Sequence, residues 1–315
     1  MFIRCAFFRG QVQPGREAEF TRYVREQLVP LWTQFPGAEE VRILRQLECD
    51  VADPQLEMVL AIRYPSREAI ERALASDVRF QSREVTKGLL EMFDELNLPA
   101  AHLINTTVFD YAPQIVDALK ARGDEFIGHG RTNAERHGGM WEADEKRFLQ
   151  EIGDSIEKAS GKRPRGWMAP WMASTRVTPD LLKETGYDFL MDWPNDDQPI
   201  WMKTRSGPLM SIPYPIEVND SPQVLVRHHS AEEFRDMIIG QFEELLRQSA
   251  KQPLVCGIAL HTMIVGQPYR LRALREALEH IAHHSQKDKV WFTRPSDIYD
   301  HCAALPKGTM TPPPA

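Results

Sequence analysis

The sequence predicts an α/β chain in two parts: a ferredoxin-like α+β module over residues 1–95, then alternating strands and helices over 96–305, with a flexible tail at 306–315. Three observations carry this. Up to residue 95 the elements run β-α-β-β-α, the ferredoxin-like order short of its last strand. Beyond it, short apolar runs alternate with helical stretches, the pattern of βα units around a mostly parallel sheet, barrel or doubly wound. The closing PKGTMTPPPA is proline-rich and without period, as frayed termini are.

Residues 2–9 read as a strand. In PGREAEFTRYVREQLVPLWTQF (14–35), Phe20, Val24, Leu28 and Leu31 recur at helical spacing. EEVRILRQLE, where Val41, Ile43 and Leu47 alternate with polar residues, and LEMVLAIRY read as strands around the turn-forming CDVADPQ. SREAIERALAS starts as a capped helix, and another helix spans about 77–95. The second region places strands in AAHLINTTVF, EFIGHG, RGWMAPW, YDFLMDW, GPLMSIPY, LVCGIALH and VWFTRP. Helices fall at 111–122, 142–160, 178–185, 230–250 and 268–284.

A net charge of −7 and a pI near 5.8 argue against non-specific binding to nucleic acid or anionic membrane, which needs a basic surface. The four cysteines, Cys5, Cys49, Cys256 and Cys302, form no CxxC pair, so neither a structural zinc site nor a redox dithiol is implied. Free thiols in a reducing cytosol are the simpler reading. MFIRCAFFRG is too short and too interrupted for a signal-peptide core, and no run is long enough to span a bilayer; the expected location is cytoplasmic.

Reactive side chains fall just beyond the carboxyl ends of predicted strands: His129 after EFIG, Asp192 after YDFLM, His261 after LVCGIAL. In parallel α/β architectures those ends form the active-site mouth. Each residue alone also reads as a loop anchor; three strands delivering His, Asp and His to one end point to a site. His129, Asn133 and His137 stand at i, i+4, i+8, one face if the loop is helical, though the GG after His137 reads as a turn. In RGWMAPW, Arg165 is suited to orienting a carboxylate, and Trp167 and Trp171 to stacking on a sugar ring; core packing is the plainer role of Trp167. DWPNDDQP gathers Asp192, Asn195 and Asp196 in one loop, where Asx residues hold cations or simply cap turns.

Residues 1–95, through their element order and DVRFQSREVTKGLLEMFD, resemble the dimeric α/β-barrel superfamily. That implies sheet-to-sheet pairing in a homo-oligomer, a dimer or higher. Residues 96–302 resemble the polysaccharide deacetylase superfamily (NodB-homology, carbohydrate esterase family 4), and most of all its allantoinase branch. The carrying segments are LPAAHLINTTV, GHGRTN, RPRGWMAPWMASTRVTPDLLKETGYDFLMDWPNDDQP, PLMSIPYPIEVND and IALHTMIVGQPYR, in the family's order. The resemblance implies a distorted (β/α)7 barrel that hydrolyses a carbon–nitrogen bond, either removing acetyl from an N-acetylated sugar or opening a ureide. It also implies a divalent metal such as zinc in most members and cofactor-independent chemistry in others. His129 matches the first metal histidine, His261 the late histidine that protonates the leaving amine, and Arg165 the arginine that orients the base.

Two departures shape the expectation. Asn133 stands where the second metal histidine belongs, and no first strand with its Asp motif precedes LLEMFDELNLPA. The barrel is therefore incomplete, with edges that must be covered. LLEMFDEL serves as last helix of one part and first of the other, and AAHLINTTV suits either sheet. Asp192 or Asp196 is expected to replace the missing carboxylate. The competing expectation is a catalytically impaired binding or assembly protein that dimerises through its N-terminal module.

Overall fold

Alternation in FIRCAFFR gives β1 (Phe2–Arg9), which pairs antiparallel along β3 (Leu56–Tyr64), Phe2 facing Tyr64. On the other side of β3 lies β2 (Glu40–Leu44), also antiparallel, so the order is β1-β3-β2. The computed structural model describes residues 2–9, 20–22, 24–25, 29–44, 56–74, 81–306 and 308–310. Of the predicted helix 14–35 the described part is residues 20–22, 24–25 and 29–35, which include the short α1 (Val29–Thr33); the turn CDVADPQ lies outside the described residues. Leu60, Ile62 and Tyr64, alternate residues of β3, bury one face against Ala69 and Ile70 of α2 (Arg67–Leu74), with Trp32, Phe35, Val41 and Ile43. The Ser66 hydroxyl accepts from the Ala69 amide at 3.1 Å, the cap that the sequence announces.

The chain divides into Met1–Glu84 and Val85–Ala315, and the division falls inside α3 (Gln81–Glu95). The later turns of α3 belong to the second unit. Leu90 packs with Ile104, Val116 and Leu119; Leu89 and Met92 pack with Val218, Phe234, Val265 and Leu274. One helix thus joins the two cores of the second unit, upstream of the sheet.

The second unit is a mixed α/β fold. β4 (Ala101–Ile104) pairs in parallel with β5 (Glu125–Gly128), which settles where residues 101–104 belong. Between them run α4 (Val108–Tyr111) and α5 (Pro113–Arg122). α6 (Glu142–Ser160) leads to β6 (Gly166–Trp167), α7 (Thr178–Glu184) to β7 (Phe189–Leu190), and β8 (Ile200–Thr204) folds back on β9 (Gly207–Ser211). The order β4-β5-β6-β7-β9-β8 is parallel except for the edge strand β8. That hairpin was not expected from sequence, although Ser206-Gly207 is a turn signal. LVCGIALH and VWFTRP form no ladder; the first contributes a single parallel bridge, Asn219 to Ala259. A π-helical turn (Ser221–Val226) and α8 (Ala231–Gln248), α9 (Thr262–Val265), α10 (Pro268–Ala282) and α11 (Pro295–Ala304) complete the unit. α11, also not expected, begins with proline at its first turn, where the missing N–H costs nothing. No helix among the described residues is long and apolar enough to cross a membrane.

Candidate active site

β5 ends at Gly128, where a Cβ would meet the Trp167 ring at 2.8 Å, so only glycine lets β5 and β6 lie this close. His129 follows, and Gly130 turns the chain away with φ of 71°. The loop after β4 holds this turn: the Asn105 amide donates to the His129 carbonyl, and the Thr106 amide to Gly130 O at 3.0 Å. The His129 ring spans to the end of β6, with Nδ1 2.6 Å from the Met168 carbonyl. A carbonyl only accepts, so Nδ1 carries the proton and Nε2 the lone pair. Burial holds His129 below the usual imidazole pKa of 6.5; the charge of His261 pushes the same way, while the Met168 carbonyl and Asn133 side chain partly oppose it.

His261 stands at the start of α9, and its anchor is a residue the sequence reading passed over. Asp220, fully buried, takes the His261 Nδ1 at 2.6 Å on one oxygen and the His261 amide at 2.7 Å on the other. Tyr214 accepts from Asn219 Nδ2 at 3.3 Å. Burial pushes its hydroxyl up to about 12, helped by the nearby charges of Asp220 and Asp192, so it remains a donor. Both residues lie in PLMSIPYPIEVND, and an acid closing an apolar run was the available signal. It was faint because the strand there shrinks to one bridging residue.

Asp192 sits under the mouth, 3 % exposed, receiving the Ala169 amide at 2.6 Å and the Ser174 hydroxyl. Burial raises its carboxyl to about 6, against those two hydrogen bonds. Both oxygens are engaged in fixing the loop after β6. Trp171, on that loop with φ of 62°, is exposed; its indole donates to the Asn133 carbonyl at 2.6 Å, and Arg136 lies 4.6 Å over its ring. The structure therefore brings His129, Asn133, Trp171, Asp192 and His261 to one end of the sheet.

Other candidates fall elsewhere. Arg165 precedes β6, at the opposite end of the strand from the mouth. It pairs with Asp300 through two 2.9 Å contacts and with Asp188 at 2.7 Å, so it ties α11 to the sheet and orients no base. Trp167 is wholly buried among His137, Phe148 and Tyr187, out of reach of a substrate. Asn195 and Asp196 are exposed, and Asp196 accepts the Asp197 amide at 2.7 Å, ordinary turn chemistry. His137 departs from the face of His129: Gly138 and Gly139 continue it as a 3₁₀ turn that buries the ring.

A zinc site needs about three protein ligands of imidazole, thiolate or carboxylate type. The mouth offers His129 and the Asn133 amide, and among the described residues no His, Cys, Asp or Glu triad converges there. These residues do not fit a resident zinc ion.

Two imidazoles anchored through Nδ1, a buried carboxylate and a protonated phenol, set where parallel strands end, define an acid–base site of hydrolytic type. Residues 74–190 match the family model for polysaccharide deacetylase. A Schizosaccharomyces pombe protein described as a polysaccharide deacetylase is 24 % identical over 245 residues, 72 % of this chain and 75 % of that one. Among solved structures, Puue allantoinase superposes with a TM-score of 0.67 at 26 % identity, covering 79 % of this chain and 80 % of that one. A Pseudomonas aeruginosa PAO1 protein described as a polysaccharide deacetylase gives 0.65 at 27 %, covering 76 % and 78 %. Over residues 74–190 the chain is thus similar to polysaccharide deacetylase domains of the NodB-homology class, and the likeness extends to about three-quarters of its length in the solved structures.

Proposed function

We propose that this protein is a carbon–nitrogen hydrolase of the deacetylase class that works without a resident metal, taking acetyl from an N-acetylated sugar or opening a ureide. The observation that carries the reading is the Asp220–His261 pair facing a neutral His129. His129 Nε2 takes a proton from the attacking water, His261 Nε2 returns one to the departing nitrogen, and Tyr214 donates to the developing oxyanion. Asp192 acts as a positioning residue for the loop bearing Trp171, whose exposed ring stacks on the substrate.

The test is release of acetate from N-acetylglucosamine oligomers, and ring opening of allantoin, by protein treated with chelator. Turnover that persists after chelation and vanishes in His261→Ala supports the reading; turnover restored only by added metal ends the metal-free part of it.

One observation favours a second reading. Both carboxylates at the mouth, Asp192 and Asp220, are already engaged, so no acid is left as base. On that reading the chain binds a carbohydrate without turnover and assembles through its first unit, a ferredoxin-like module. The strand order β1-β3-β2 and the exposed Phe2, Ile3 and Leu44 support such an assembly. Substrate-dependent thermal stabilisation with no product, in a dimer by light scattering, is its expected signature.

A further inference from the structure

α8 and α10 pack along a shared apolar seam of Phe234, Ile238, Phe242, Leu274, Leu278 and Ile281. On α10 and just past its end the residues beside that seam repeat every four positions: Arg272, Glu276 and His280 on the helix, then His284 two residues beyond its last turn. The early rungs are plain ion pairs, Arg272 with Glu232 at 2.8 Å and Arg235 with Glu276 at 2.7 Å. The last two change chemistry. His280 Nε2 lies 2.6 Å and His284 Nε2 3.3 Å from the same atom, Oε1 of Glu243 on α8. An arginine never gives up its proton to ligate a metal, whereas an imidazole does.

We propose that Glu243, His280 and His284 form a divalent-cation site of zinc type that clamps α8 to α10. The three ligand atoms lie within 4.8 Å of one another, and two imidazoles with one carboxylate are a zinc donor set that leaves a fourth position for water. Bonds of about 2.05 Å put tetrahedral ligands about 3.3 Å apart, the separation His284 already has from Glu243. His280, at 2.6 Å from the same oxygen, must draw back slightly. Phe242 stands edge-on to both rings, with centroids at 6.4 and 5.4 Å, and limits their swing. α10 carries His280 about 18 Å along its axis from Pro268, away from the His261 loop, so the cation is a clamp and takes no part in the reaction at the mouth.

The experiment uses the untagged full chain and Zn²⁺ alone. Equilibrium dialysis should find one bound equivalent, which His280→Ala/His284→Ala loses and His129→Ala keeps. Zinc at about a hundred times its dissociation constant should raise the thermal midpoint by about 5–10 °C in the parent. The double variant should show no zinc-dependent rise, whatever its own starting midpoint. Co²⁺ in place of zinc should give tetrahedral d–d absorption that Glu243→Gln weakens. Absence of zinc binding to the parent, an equivalent that survives the double variant, or one lost in His129→Ala would each overturn the proposal.

Discussion

His129 and His261 are held through the same ring atom at the same 2.6 Å, yet by different partners. The carbonyl of Met168 fixes a tautomer, and burial, which it only partly opposes, lowers the His129 pKa. The carboxylate of Asp220 fixes the same tautomer and also accepts the His261 amide, so it holds ring and backbone together. The charge of His261 in turn disfavours protonating His129. On the proposed function these two chemically identical side chains take opposite roles, His129 the neutral base and His261 the acid.

The largest effect should come from erasing that asymmetry. In Asp220→Asn the amide presents N–H to Nδ1 and favours the wrong tautomer, so kcat should fall about 10²–10⁴-fold with KM little changed and circular dichroism preserved. A variant turning over within about twofold of the parent would break the comparison. Removing the other half, His129→Gln, should cost about 10²-fold. It should also reshape the pH profile. With its pKa lowered, His129 is the required neutral base at and above the ordinary value of 6.5, and activity is lost only as pH falls through the lowered one. That acidic limb of kcat/KM should disappear in His129→Gln; its persistence would assign it to another group.

Long-range order was legible where period and position both spoke. The alternation of strands and helices after residue 96, and the convergence of His129, Asp192 and His261, follow from residues standing at strand ends. Two kinds of information were not in the pattern. Asp220 was hidden because its strand is one bridging residue, too short for any alternation. Arg165 and Trp167 misled because motif position names a residue without saying which end or face of a two-residue strand it occupies; packing decided that, sending Arg165 to Asp300 and Trp167 into the core. The interior of α3 is similar. Its sequence announces a helix, but only the contacts of Leu89, Leu90 and Met92 show that its later turns join two cores.

A third histidine extends the comparison to a ring with no anchor, and its effect should be the smallest of these. His137 is fully buried, neither ring nitrogen has a hydrogen-bond partner, and Glu145 is 3.6 Å away, its oxygens taken by Thr175 and Thr178. Burial alone lowers the ring's pKa to about 4. The folded state therefore binds fewer protons here than the unfolded chain. The resulting stability is complete above 6.5 and drains away as pH falls toward 4, by about 2 kcal/mol at pH 5. Phenylalanine fits the same aromatic surroundings, since the ring lies 5.7 Å from Phe148 and 5.6 Å from Trp167. Thermal unfolding of His137→Phe and the parent at pH 7.5 and pH 5 should show the variant losing less on acidification by about that amount. If His137 were instead a buried cation paired with Glu145, the variant would be destabilised at pH 7.5 and would gain nothing at pH 5, because the neutral ring would leave a carboxylate without its partner.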